Sequence, residues 1–154
     1  MILEASTRIE ASSEDVFRFF EHIDENYEDW HPDHVTFRWV EGDGLERGNR
    51  AYFEEVIGGE LKKQTVRYTE VERARYIELQ PTRRLIRLLL PHISFTIEPE
   101  NSGCRLIQRI KIRTGPIGAR FNRREFDAVR THMREEGENL KTLVERGNCT
   151  GVSN

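Results

Sequence analysis

Residues 2–10 alternate, with Leu3, Ala5, Thr7 and Ile9 set against Glu4, Ser6, Arg8 and Glu10. A period of two predicts a strand with one buried face. Ser12 then offers a helix cap, and Asp15 stands three residues on, where an acid suits the first turn. Val16, Phe17, Phe19, Phe20 and Ile23 give that helix an apolar face. A second short turn over 24–30 stops at Pro32. From 33 to 114 the pattern is strands and turns. Val35, Phe37 and Trp39 alternate with polar residues, and a turn is expected at Glu41-Gly42-Asp43-Gly44. Strands over 52–57, 61–71 and 75–80 follow, the first turned back by Gly58-Gly59. A longer extended stretch covers 83–99. The last strand is the clearest, with Leu106, Gln108, Ile110 and Ile112 on one face and Arg105, Arg109, Lys111 and Arg113 on the other. Gly115-Pro116 breaks the sheet. One long helix over 118–146 is then expected, ended by Gly147. Phe126, Val129, Met133, Leu140 and Val144 form its apolar stripe. Residues 1–147 read as a single domain and 148–154 as a flexible tail.

This order predicts an α+β protein. A curved antiparallel sheet of about seven strands wraps a long C-terminal helix, with two short helices after the first strand and a cavity between sheet and helix. The arrangement resembles the helix-grip fold of the START and birch-pollen-allergen (SRPBCC) superfamily over nearly the whole chain. That fold carries many unrelated activities, so the function must come from the site.

Composition narrows the classes. The 24 basic and 27 acidic residues leave a net charge of −3, which argues against a nucleic-acid partner. Arg120, Arg123, Arg124 and Arg130 cluster, but acids follow them, and they read as the solvated face of a helix. No apolar run approaches a membrane span, so no membrane partner is expected. Two cysteines form no framework, and no signal-peptide pattern is visible; a reduced, cytoplasmic protein is expected, as monomer or homodimer.

Candidate chemistry sits at three places. His132 and Glu136 are four apart on the apolar stripe of the long helix, where a carboxylate is costly unless paired or metal-bound. Tyr27-Glu28-Asp29-Trp30-His31-Pro32-Asp33-His34 places two histidines at the mouth of the cavity. Strict alternation with Val35 turns His34 outward unless a bulge follows Pro32, in which case His34 faces in; otherwise His31 is the candidate. In the strand that contains Glu54-Glu55, one glutamate must face the helix. Phe53, Glu55 and Ile57 form the more apolar face, and Glu54 is the alternative. Two histidines and two glutamates suit zinc, or another divalent first-row metal.

Trp30-His31-Pro32-Asp33-His34, Glu55-Val56-Ile57-Gly58-Gly59 and His132 with Glu136 resemble the diacetylphloroglucinol and phloretin hydrolase family. Those are zinc enzymes on this fold that cleave a carbon–carbon bond between an aromatic ring and an acyl group. The resemblance implies His34, Glu55, His132 and Glu136 as ligands, with the last histidine of the loop motif preferred over His31. It implies a zinc-dependent hydrolase acting on a small aromatic or polyketide-like ketone. Tyr27 and His92 are then catalytic candidates, and Tyr52, Tyr68, Tyr76 and Trp39 candidates for holding the substrate. The long N-terminal extension of those hydrolases is not present, so the metal site is expected to carry over more readily than the substrate. Two other classes compete: a metal-free carrier or sensor of a small apolar ligand, and a polyketide cyclase or dehydratase. The paired charge on the long helix separates them, because a pure carrier has little use for it.

Overall fold

Seven strands form one antiparallel sheet in the order β1-β7-β6-β5-β4-β3-β2. The structure, a computed structural model, describes residues 1–152. The elements are β1 (Ile2–Ile9), α1 (Ser13–Glu21), α2 (Ile23–Trp30), β2 (His34–Glu41), β3 (Arg50–Ile57), β4 (Glu60–Glu72), β5 (Tyr76–Pro81), α3 (Arg84–Leu89), β6 (His92–Glu100), β7 (Gly103–Lys111), α4 (Pro116–Phe121) and α5 (Arg123–Arg146). Among the described residues no helix is long and apolar enough to cross a membrane.

Each helix is set by local chemistry. The Ser12 hydroxyl accepts from the Asp15 N–H at 3.1 Å and caps α1. That helix buries Val16, Phe17, Phe19 and Phe20, and α2 buries Ile23, Asn26, Tyr27 and Trp30. Gly147 ends α5 in the left-handed conformation. Met133, Leu140 and Val144 of α5 pack into the sheet's inner face with Leu3, Leu106 and Ile97. Gly137, in the middle of α5, marks the closest approach. A Cβ there would lie 2.2 Å from Thr7 Oγ1, so β1 leaves no room for a side chain. The residue that costs a helix ~1 kcal/mol relative to Ala is here the one that fits. Gly58 and Gly59 both have positive φ and make the two-residue turn between β3 and β4.

Two expectations require correction. The 83–99 stretch is not continuously extended. Its first part is α3, because Arg84-Leu85-Ile86-Arg87-Leu88-Leu89 holds good helix formers with no alternation, bracketed by Pro81 and Pro91. The 118–146 helix is two helices. Asn122 interrupts it at φ −100° and ψ 14°, its N–H and its side-chain Nδ2 both donating to the Gly118 carbonyl, at 3.0 and 2.9 Å. Beyond Gly147 the described residues contact the core. The Thr150 N–H donates to Asn26 Oδ1 at 2.8 Å, Asn26 Nδ2 donates back to the Thr150 carbonyl at 3.1 Å, and Cys149 and Val152 pack on the core. Residues 153–154 lie outside the described residues.

Candidate functional site

Four side chains from three elements meet under α5. His132 and Glu136 come from adjacent turns of that helix. Glu55 comes from β3, whose alternation turns Phe53 and Glu55 toward the helix. His34 comes from the start of β2, and here strict alternation fails. His34 pairs with Glu55 and Thr36 with Glu54, so β2 spends one more residue than β3 between those two rungs. This bulge shifts the side-chain phase. Val35 points out at 42% exposure, while Phe37 and Trp39 turn back toward the core and the His34 side chain is fully buried.

The distances are short and similar. His34 Nε2 lies 3.3 Å from His132 Nε2, 3.6 Å from Glu55 Oε2 and 2.9 Å from Glu136 Oε2. His132 Nε2 lies 3.3 Å from Glu55 Oε2 and 3.6 Å from Glu136 Oε2. A tetrahedral ion with bonds of ~2.0–2.1 Å sets its donors ~3.3–3.4 Å apart. The histidine tautomers point the same way. His34 Nδ1 sits 2.8 Å from the Tyr27 carbonyl, which can only accept, so Nδ1 carries a hydrogen. In a neutral ring Nε2 then presents a lone pair toward carboxylate oxygens and a second imidazole nitrogen. Four such atoms facing one point are held together either by a bound cation or by a proton on an imidazole, and a backbone partner on the far nitrogen is the usual orienting device for a histidine ligand.

In the ion-free protein the charges answer one another. Burial by itself disfavours the charged His132 ring, but hydrogen bonds to Glu136 and Glu55, and their charges, outweigh it and lift its pKa well above the ordinary value. Burial likewise opposes the Glu136 carboxylate, and bonds from His132 and His34 hold it below the usual carboxylate range. The Tyr27 ring stacks on His34 at 4.0 Å between centroids, and its hydroxyl lies 3.4 Å from Glu55 Oε2. Burial, then the charges of Glu55 and Glu136, push the Tyr27 phenol far up, so it stays a donor.

Two neighbouring chambers adjoin the cluster. The inner one, about 90 Å³, is lined by Tyr27, Phe37, Tyr68, Phe95 and the Glu55 and Glu136 side chains. The outer one, about 370 Å³, shares Phe53, Glu55, Ile93 and Ile110 and opens past α3 and α5.

The other candidates are placed elsewhere. His31 is buried, but its Nδ1 accepts from the Asp33 N–H at 2.9 Å, so Nε2 carries the hydrogen and faces Glu135 Oε1 at 3.3 Å. With His132 and Glu135 it makes a second, outer group. Glu54 and Tyr52 lie on the outer face of β3, where Tyr52 donates to Glu54 at 2.7 Å and Arg38 covers its ring. Tyr76 also faces out, donating to Glu78 at 2.6 Å. His92 is on the face of β6 opposite Ile93 and Phe95, and its Nδ1 is buried without a partner. None of these reaches the chambers. Trp39 packs against Tyr68 at 5.5 Å within the core. Tyr68 alone of the substrate candidates lines the inner chamber.

Trp30, buried in the core, stands outside the candidate set. Its Nε1–H also donates to the Glu136 carbonyl at 2.9 Å, tying α2 to α5 at the cluster. Gln108 Nε2–H donates to the Met133 carbonyl at 2.9 Å. A lone amide among Leu106, Ile110 and Ile112 was the available signal.

Two paired substitutions check the facing. Glu55→Gln is expected to weaken zinc binding by ~10–100-fold, as losses around a metal do, while Glu54→Gln leaves it within about twofold; calorimetric titration with zinc reads both. His34→Ala is expected to abolish stoichiometric binding and His31→Ala to retain it. The opposite order would move the ligand to His31.

Fold and site define a helix-grip protein with a charged His/Glu cluster on the wall of an apolar cavity. The chain belongs to the family described as polyketide cyclase / dehydrase and lipid transport, which it matches over residues 2–145. No curated protein matches it. Among solved structures, it is similar to the Zhui aromatase/cyclase from Streptomyces sp. R1128, at 15% identity and a TM-score of 0.73, covering 99% of each chain. TTHA0849 from Thermus thermophilus shares 15% identity with a TM-score of 0.76, over 96% of this chain and 99% of that one. Ara h 8.0201 shares 14% identity with a TM-score of 0.69, over 93% and 96%. At such identities these structures establish the fold.

Proposed function

We propose that this chain is a metal-dependent enzyme of its family. It acts at the carbonyl carbon of a small aromatic, polyketide-like ketone, and hydrolysis of the bond between an acyl group and a phenol ring is the reaction that the site fits best. The observation that carries this is the spacing of the four donors, 2.9–3.6 Å over the five separations given above. Zinc suits two imidazoles and two carboxylates, and other first-row divalent ions share those preferences. Bound there, such an ion supplies Lewis acidity toward a ketone oxygen and activates water at neutral pH.

The chain's own residues do the rest. His34, held by the Tyr27 carbonyl, and His132 on α5 fix two donors rigidly. Glu55, on the β3–β4 hairpin and lining both chambers, is the carboxylate placed to shift when substrate enters. Tyr27 keeps its proton and offers a hydroxyl to a substrate oxygen. Phe37, Phe53 and Phe95 keep bulk water from the inner chamber. In the balanced reaction the oxygen of water ends in the carboxylic acid, and one of its protons ends on the ring carbon.

The family supports a second reading, a metal-free cyclase or dehydratase, or a carrier, using the same cavity. The deciding experiment is elemental analysis of protein purified without a His-tag or chelator, followed by assay on an acylphloroglucinol. About one ion per chain, and acid release lost on chelation, are expected of a site with catalytic zinc. Protein without an ion, and no more stable with added zinc, overturns the metal reading and leaves the second.

A further inference from the structure

The mouth of the outer chamber has an unusual border. Segments 79–97 and 101–124 contain no aspartate or glutamate, on a chain whose net charge is −3. Arg84, Arg87, Arg113, Arg120 and Arg123 are exposed, and among the described residues none is in an ion pair, unlike Arg8, Arg73 and Arg105 elsewhere. Between these cations stand apolar side chains turned to solvent. Leu85 is 78% exposed, Leu88 53% and Leu89 61%, spaced i, i+3 and i+4 along α3, and Ile117 of α4 is 73% exposed. Ile86 within α3 and Leu90 just after it are half-buried and hold the segment inward. The Arg113 N–H donates to the Leu89 carbonyl at 2.8 Å, which ties the end of α3 to the segment that leads into α4. The chamber opens there, lined by Ile86, Leu89, Arg113 and Asn122, with the paired Lys62 and Glu125 also on its wall.

We propose that α3 and α4 dock this protein on an anionic phospholipid membrane surface, with the outer chamber opening toward the bilayer. Isolated exposed leucines are ordinary, but an apolar face flanked by five unpaired arginines, with the one exposed carboxylate of the same opening, Glu125, held by Lys62 at 3.2 Å, is the chemistry of an interfacial helix. Arginine guanidinium groups meet lipid phosphates while the leucines and Ile117 enter the boundary with the acyl chains. A small apolar ligand then passes between lipid and cavity without crossing water. This last step rests on the reading that the cavity takes such a ligand; the docking itself does not.

The test is co-sedimentation of the full chain with vesicles of phosphatidylcholine alone and of phosphatidylcholine mixed with phosphatidylglycerol. The mixed vesicles are expected to bind at least ~10-fold more protein at low salt, with the difference shrinking as salt screens it. Leu85→Ser with Leu88→Ser, and Arg84→Gln with Arg87→Gln, are each expected to cut that binding by at least ~10-fold. Their melting temperatures and zinc content should match the parent, since all four side chains are exposed. Equal binding to both vesicles, no binding, or a leucine variant that binds like the parent overturns the proposal. So does a concentration-dependent dimer that the leucine variant abolishes, which would make a second copy the occupant. Retained zinc with no vesicle binding ends the docking inference alone; vesicle binding by a zinc-free protein leaves it standing and ends the metal reading.

Discussion

Replacing His132 with alanine is expected to reduce bound zinc from about one ion per chain to near zero, because the substitution removes one of the site's two imidazole donors. The effect reaches stability as well. An ion that binds only the folded chain stabilises it by ~4 kcal/mol at a thousand times its dissociation constant. In a domain of this size that corresponds to a rise of ~10 °C in melting temperature. The parent should show this rise on adding zinc and the variant should not. Without an ion the variant carries a second penalty. His132 is the partner of both Glu55 Oε2, at 3.3 Å, and Glu136 Oε2, at 3.6 Å, and its loss leaves two carboxylates facing each other in a buried site. Removing one partner of a buried charged pair costs ~3–5 kcal/mol. Should the variant not fold, Glu136→Gln keeps the shape and removes only the charge. A zinc-dependent rise that survives in both variants would place the ion elsewhere.

Trp30→Ala is expected to cost ~3–5 kcal/mol, the range for truncating a large buried ring. The residue is 2% exposed and stands where α1, α2, β2, β6 and α5 meet. Its ring centroid lies 5.3 Å from Phe19, 5.7 Å from Phe20, 5.1 Å from His34 and 6.1 Å from Phe95. Denaturant unfolding measures that loss. Trp30→Phe separates packing from positioning. It keeps most of the ring contacts but removes the N–H that holds the Glu136 carbonyl. Stability should fall by only ~1–2 kcal/mol, while zinc affinity falls ~10-fold or more because a donor that orients a ligand has gone. Unchanged affinity in Trp30→Phe would reduce the indole to packing.

Much of this site could be read from the chain, for physical reasons. His132 and Glu136 share a helix face by spacing alone, and the two-residue period of β3 directs Glu55 inward with Phe53. His34 could not be placed by the same rule. A bulge is a local count of two residues against one, and it depends on the partner strand as much as on Val35 and Thr36. The fold was legible where one face is apolar, as in β1, β7 and α5. It was not legible at α3, whose apolar residues face solvent rather than the core, nor at Asn122, which interrupts the helix where neither proline nor glycine stands. The outward tyrosines show the limit of composition. Tyr52 and Tyr76 are the right chemical type for holding a phenol, but their strand parity sends them to the wrong face.

The pairing of β1 with β7 sets a schedule for the chain. Ile2 stands opposite Lys111, and the Met1 amino group donates to the Ile112 carbonyl at 2.9 Å. The first strand of this domain therefore waits for its seventh, and the helix that both strands hold follows later still. Closing so long a loop is entropically costly before any contact rewards it, so folding belongs to the slow, millisecond-to-second regime of non-local sheets. Until β7 emerges, the apolar inner edge of β1 is open to other chains. The soluble yield of this protein is therefore expected to depend on how quickly its second half is translated.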